Sequence, residues 1–132
     1  MKLTPQLDDL YLLEYPELKG NKQSTKRPCL ILEIADGYAL LLPYSTQDSY
    51  YDINGKKQKR GALDIKQPPF GKRNKAGWLA FSTAIWLKLD NNGKLNITSD
   101  FGYAPQKYAD EAWQGWLKYT AATGYKAPKL SK

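Results

Sequence analysis

A chain of 132 residues with 42% apolar and 25% charged side chains has the composition of one folded domain, 1–132, rather than of a disordered segment. Its net charge is +7, and the absence of histidine excludes histidine-based triads, histidine-pair ribonuclease chemistry and histidine-ligated zinc. The single cysteine, Cys29, excludes an intrachain disulfide. The N-terminus reaches Asp8-Asp9 before any apolar run of signal-peptide length, and no stretch approaches the roughly 20 residues of a membrane span, so a cytoplasmic protein without membrane association is expected.

Leu10 to Tyr15 predicts a first strand, closed by Pro16, and Glu17 to Lys26 predicts a polar loop centred on Gly20-Asn21. Cys29 to Ala35 and Tyr38 to Leu42 are β-length runs rich in Leu and Ile, separated by Asp36-Gly37, a strong hairpin signal. Both runs are apolar on each face, which predicts central strands covered on both sides. Glu33 is the exception and is expected at a rim, while Cys29 is expected to be a buried, inert thiol. With Asp36-Gly37 as the loop, paired residue numbers sum to 73, so Arg27 falls opposite Thr46 and Pro28 opposite Ser45. A guanidinium and two hydroxyls then meet at the open end of the hairpin. A slip of one residue preserves that arrangement.

The segment 44–76 is long for a connection within a domain, and such loops are usually functional or disordered. Asn54-Gly55 and Arg60-Gly61 predict turns, Ala62 to Ile65 a short strand, and Pro68-Pro69 with Gly71 a break. Between Ile53 and Ala76 lie Lys56, Lys57, Lys59, Arg60, Lys66, Lys72, Arg73 and Lys75 against Asp64 alone. The rest of the chain is neutral, so the whole excess charge sits there. Two edge strands joined by mobile turns would carry it. Charge so segregated, flanked by Tyr50, Tyr51, Phe70 and Trp78, suits a nucleic acid through counterion release and base stacking. A solubilising surface loop is the alternative.

Gly77 to Phe81, Ala84 to Leu89 and Lys94 to Thr98 predict three more strands. A helix is predicted over about 105–123, opened by Pro105 and capped by Gly124. Tyr108, Ala112, Trp113, Trp116, Leu117 and Thr120 form its apolar stripe, serving either the core or a partner groove. Tyr125 to Lys132 is expected to be a frayed tail. The fold class is therefore mainly β with a C-terminal helix, arranged as a small barrel.

The series Gly20-Asn21-Lys22-Gln23-Ser24-Thr25-Lys26-Arg27-Pro28, an apolar strand, a turn, a second apolar strand and Pro43-Tyr44-Ser45-Thr46-Gln47 resembles the opening of the MazF/PemK-like toxins. These are endoribonucleases of type II toxin–antitoxin systems, and the match covers about the first 45 residues. The resemblance implies an SH3-like barrel, a homodimer, an antitoxin partner, and cleavage of single-stranded RNA that needs neither metal nor cofactor. It implies that Arg27 is a main catalytic residue and Ser45 its partner, with Thr46 as the adjoining hydroxyl. Lys22, Gln23 and Gln47 around them, with Lys56, Lys57, Lys59, Arg60, Lys72 and Arg73 of the basic segment, would bind substrate. A fixed guanidinium and hydroxyls suit the negative charge that gathers on phosphoryl oxygens in the transition state.

Lys22 stands where the family carries a glutamate. A lysine there strengthens phosphate binding, but it acts as a base only if its pKa is strongly lowered. Asp48 and Asp52 are the nearest alternative carboxylates in sequence. Two other readings remain: a non-catalytic nucleic-acid-binding barrel, and a protein-targeting toxin similar to the gyrase poison CcdB, in which the terminal helix and tail would matter.

Overall fold

The computed structural model describes residues 1–16, 25–45, 49–51, 56–59, 62–65 and 77–131. Strands β1 (Lys2–Leu3) and β2 (Asp9–Tyr15) precede a long hairpin of β3 (Thr25–Ala35) and β4 (Tyr38–Ser45). There follow β5 (Ser49–Tyr51), β6 (Lys57–Lys59), β7 (Ala62–Ile65) and β8 (Gly77–Ala80), a 3-10 turn over Phe81–Thr83, and β9 (Ile85–Lys88). Strands β10 (Leu95–Asn96) and β11 (Ser99–Tyr103) lead into helix α1 (Gln106–Thr123), and β12 (Lys129–Leu130) follows it. The fold is mainly β with a C-terminal helix, as the sequence predicts.

Asp36 (φ 55°) and Gly37 (φ 81°) both take the left-handed conformation that a two-residue hairpin turn of type I′ demands. The predicted register holds next to that turn: Ala35 pairs with Tyr38, Ile34 with Ala39 and Glu33 with Leu40. At Leu32 a bulge inserts one extra residue, and the ladder resumes as Ile31–Leu41, Leu30–Leu42 and Cys29–Pro43. The expected Arg27–Thr46 and Pro28–Ser45 pairs are therefore corrected by one residue. In the shifted register Arg27 lies level with Ser45. The β3–β4 ladder stops at Cys29–Pro43, because neither Pro28 nor Pro43 has an N–H to continue it. Beyond that point β3 stays paired with β2, as Arg27–Leu13 and Thr25–Tyr15, while β4 pairs with β8 through Tyr44–Leu79 and Ser45–Trp78.

The strands form an open sheet in the order β11-β2-β3-β4-β8-β7, with β9 joining β4 and β12 joining β9; among the described residues its outer edges do not pair. Each face is covered, as the two-sided apolar runs predict. One face gives Leu10, Leu30, Leu40 and Leu42 to a core closed by α1 through Ala109, Ala112 and Trp116. The other gives Tyr11, Leu13, Cys29, Ile31 and Leu41 to a core closed by Leu95 and Ile97. Cys29 is fully buried there.

Two expectations change, and one strand is unexpected. The buried face of α1 runs through Ala109, Ala112 and Trp116, with Tyr108 and Trp113 partly covered, while Leu117 is 44% exposed. The helix is thus rotated slightly from the predicted stripe, because its ring contacts favour Tyr119 over Leu117: Phe81, Trp116, Tyr119 and Tyr125 cluster with centroids 5.7–6.4 Å apart. The tail is not frayed. β12 pairs in parallel with β9, the Trp86 N–H donates to the Pro128 carbonyl at 2.9 Å, and the Tyr125 hydroxyl donates to the Ala84 carbonyl at 2.9 Å. Finally, β11 is an edge strand with a register irregularity around Gly102, and its polar Ser99-Asp100 start gives no strand signal.

Gly115 packs under this aromatic cluster: a Cβ built on it would lie 2.6 Å from the Phe81 ring. Helix propensity alone would make Gly115→Ala stabilising by about 1 kcal/mol. Overpacking costs roughly 1–3 kcal/mol, and Phe81 is held between Trp116 and Tyr119. The expected outcome in thermal denaturation is a lowered midpoint for Gly115→Ala.

Candidate nucleic-acid interface

Two features lie at the end of the sheet where β3 begins and β4 ends, and a third, a lysine-lined groove, reaches that end at Lys26 and runs on to Lys88 beside the hairpin turn. The first is the register. Arg27 is half-buried, paired along the backbone with Leu13, and two positions beyond the last β3–β4 pair; Ser45 occupies the matching position on β4. The second is the hairpin of β5 and β6, in which Ser49 pairs with Lys59, Tyr50 with Gln58 and Tyr51 with Lys57. Ser49 follows Ser45 by four positions, so the chain can span at most about 14 Å between them. Paired Cα atoms lie about 4.5–5.5 Å apart, which keeps the Lys59 backbone within roughly 20 Å of Ser45. Lys56 is exposed just before β6.

The third feature has no counterpart in the predicted site. A groove of about 940 Å³ collects Lys2, Lys26, Lys88 and Lys94 against only Glu14 and Asp90. Lys26 is exposed and adjoins Arg27 in β3. Lys2 pairs with Asp90 at 3.3 Å, and the Lys94 Nζ donates to the Thr4 hydroxyl at 3.4 Å. No linear signal gathers these lysines, which lie up to 92 positions apart. They meet because β1 pairs with β10 and β9 joins β4.

Lys22, Gln23, Thr46, Gln47, Asp48, Asp52, Arg60, Lys72 and Arg73 lie outside the described residues. So do the turns predicted at Asn54-Gly55 and Arg60-Gly61. Among the described residues, no group of three or more His, Cys, Asp or Glu is placed to hold a metal ion. No helix is long and apolar enough to cross a membrane. No family model matches this chain, and no curated protein matches it.

Asp90 is the acidic counterweight within the groove. The Lys94 backbone N–H, the Asn92 N–H and Lys2 hold its carboxyl below the usual carboxylate range, with the Lys94 contact foremost. A carboxyl depressed by folding adds stability above its unfolded pKa, and that stability is lost as pH falls through the folded value. Asp90→Asn is therefore expected to lower the melting temperature at pH 7, with a smaller deficit at pH 2. Circular dichroism melts at the two pH values check this.

Proposed function

We propose that this chain is a toxin-type endoribonuclease, built on an SH3-like barrel, that cleaves single-stranded RNA without a metal. The observation that carries the reading is the register of the bulged hairpin, whose count continued past Cys29–Pro43 matches Arg27 to Ser45, with Lys26, next to Arg27, lining a lysine-rich groove. In the proposed reaction the ribose 2′-oxygen attacks phosphorus as its proton leaves. The bond to the 5′-oxygen breaks, and that oxygen takes up a proton, giving a 2′,3′-cyclic phosphate and a 5′-hydroxyl. The Arg27 guanidinium stabilises the charge building on the phosphoryl oxygens, assisted by the Ser45 and Thr46 hydroxyls. Lys26 and the lysines of β6 hold the backbone on either side by phosphate neutralisation.

The path of β4 supports a barrel-type scaffold. It pairs with β9 through Tyr38–Leu41 and then with β8 through Tyr44–Ser45 along the same edge. A strand that changes partner in this way turns a corner between sheets. An antitoxin covering the cationic groove and a homodimeric assembly belong to the same proposal. Lys22, in place of a carboxylate, favours a second reading in which the same surface binds RNA without cutting it.

Incubation of the purified protein with mixed-sequence RNA in EDTA separates the two. Cleavage is expected, with Arg27→Ala slower by about 10²–10³-fold; intact RNA in the presence of salt-sensitive binding would favour the non-catalytic reading. Neutralising Lys56, Lys57, Lys59 and Arg60 together is expected to reduce the slope of log affinity against log salt by about 3. Filter binding across a salt series reads that slope.

A further inference from the structure

On the helix side of the sheet, a groove of about 540 Å³ opens between α1, the bulged part of β3 and the segment before β2. Its size falls within the roughly 300–1,000 Å³ range of ligand clefts. Leu7, Leu32, Ile34, Ala109 and Trp113 provide the apolar lining. Leu7 is 56% and Ile34 38% exposed, so this surface is open to solvent. Among the described residues, the polar lining consists of Asp8, Glu33 and Asp110, with no Lys or Arg, in a chain of net charge +7.

Among the described residues, no Lys or Arg pairs with these carboxylates. Asp110 accepts a hydrogen bond from the Gln106 amide at 2.8 Å, while Asp8 and Glu33 have no side-chain partner among the described residues. Neighbouring Asp9 is already engaged by the Tyr11 hydroxyl at 2.8 Å. Burial, followed by the charges of Asp110 and Asp9, pushes the Asp8 carboxyl up. The backbone holds Asp8 in place: its N–H donates to the Ile31 carbonyl at 2.9 Å, and its carbonyl accepts the Ala104 N–H at 2.7 Å. The bulge at Leu32 does the same for Glu33, which pairs with Leu40 of the helix-side core.

We propose that this groove docks a short cationic amphipathic segment of a partner protein. The segment lays a large apolar side chain against Trp113 and Ile34 and sets Lys or Arg beside the three carboxylates. Charge complementarity selects this occupant. A phosphate backbone would be repelled, and the carboxylates do not form a group able to share one metal ion. An apolar anchor ringed by charge pairs is the usual anatomy of a specific interface. This site is separate from the proposed RNA surface, and its test reads binding alone, so either assignment can fail without the other.

The probe is an acetylated, amidated octapeptide of alternating leucine and lysine, titrated into the full chain while the Trp113 indole N–H resonance is followed by NMR. Saturable shifts at Trp113, Leu7 and Ile34 are expected. Replacing the lysines by glutamate, or the leucines by serine, should weaken binding at least tenfold. The doubly neutralised variant Glu33→Gln, Asp110→Asn should weaken it at least tenfold while leaving distant resonances unmoved. Equal binding of the glutamate peptide, an unchanged affinity in that variant, or shifts that bypass Trp113 would each overturn the proposal.

Discussion

The register between β3 and β4 is the constraint on which the rest of the molecule depends. Most strands are held in register by burial, because a slip of one residue moves apolar side chains into water. That protection is weak here. β3 is apolar on both faces and covered on both, so a slipped strand would exchange one buried face for another. The type I′ turn at Asp36-Gly37 supplies what burial does not, since only one pairing closes on two left-handed residues. The bulge at Leu32 then resets the count once, for the remainder of the hairpin.

Two consequences follow from that single extra residue. Toward the turn, it places Leu32 and Glu33 together at the helix-side groove. Toward the open end, it shifts the count so that Arg27 corresponds to Ser45, two positions past the last pair, Cys29–Pro43. Pro28 and Pro43 release the two strands from each other at that point, and β4 is handed to β8. The Arg27 backbone stays fixed in the sheet through its pairing with Leu13, at the point where β3 and β4 part.

Local patterns made the main elements legible in the sequence. Asp36-Gly37 marked the hairpin, the doubly apolar runs marked a covered central sheet, and Gly124, at φ 69°, marked the end of the helix. The bulge was not legible, because Leu32 looks like any other residue of an apolar strand. The docked tail was hidden for a different reason: β12 is two residues long, and its order comes from β9 and Tyr125 rather than from its own sequence. The lysine groove is a product of topology. Lys2, Lys26, Lys88 and Lys94 belong to segments whose charge is balanced locally, and only the pairing of distant strands sets them side by side.

Arg27 and Ser45 are proposed to act as one unit on the same phosphate, and a double-mutant cycle in metal-free RNA cleavage tests this coupling. Residues that act together are strongly non-additive. The assignment predicts that Arg27→Ala combined with Ser45→Ala cleaves scarcely more slowly than Arg27→Ala alone. Strictly additive losses, or a wild-type protein that leaves RNA intact, would contradict it.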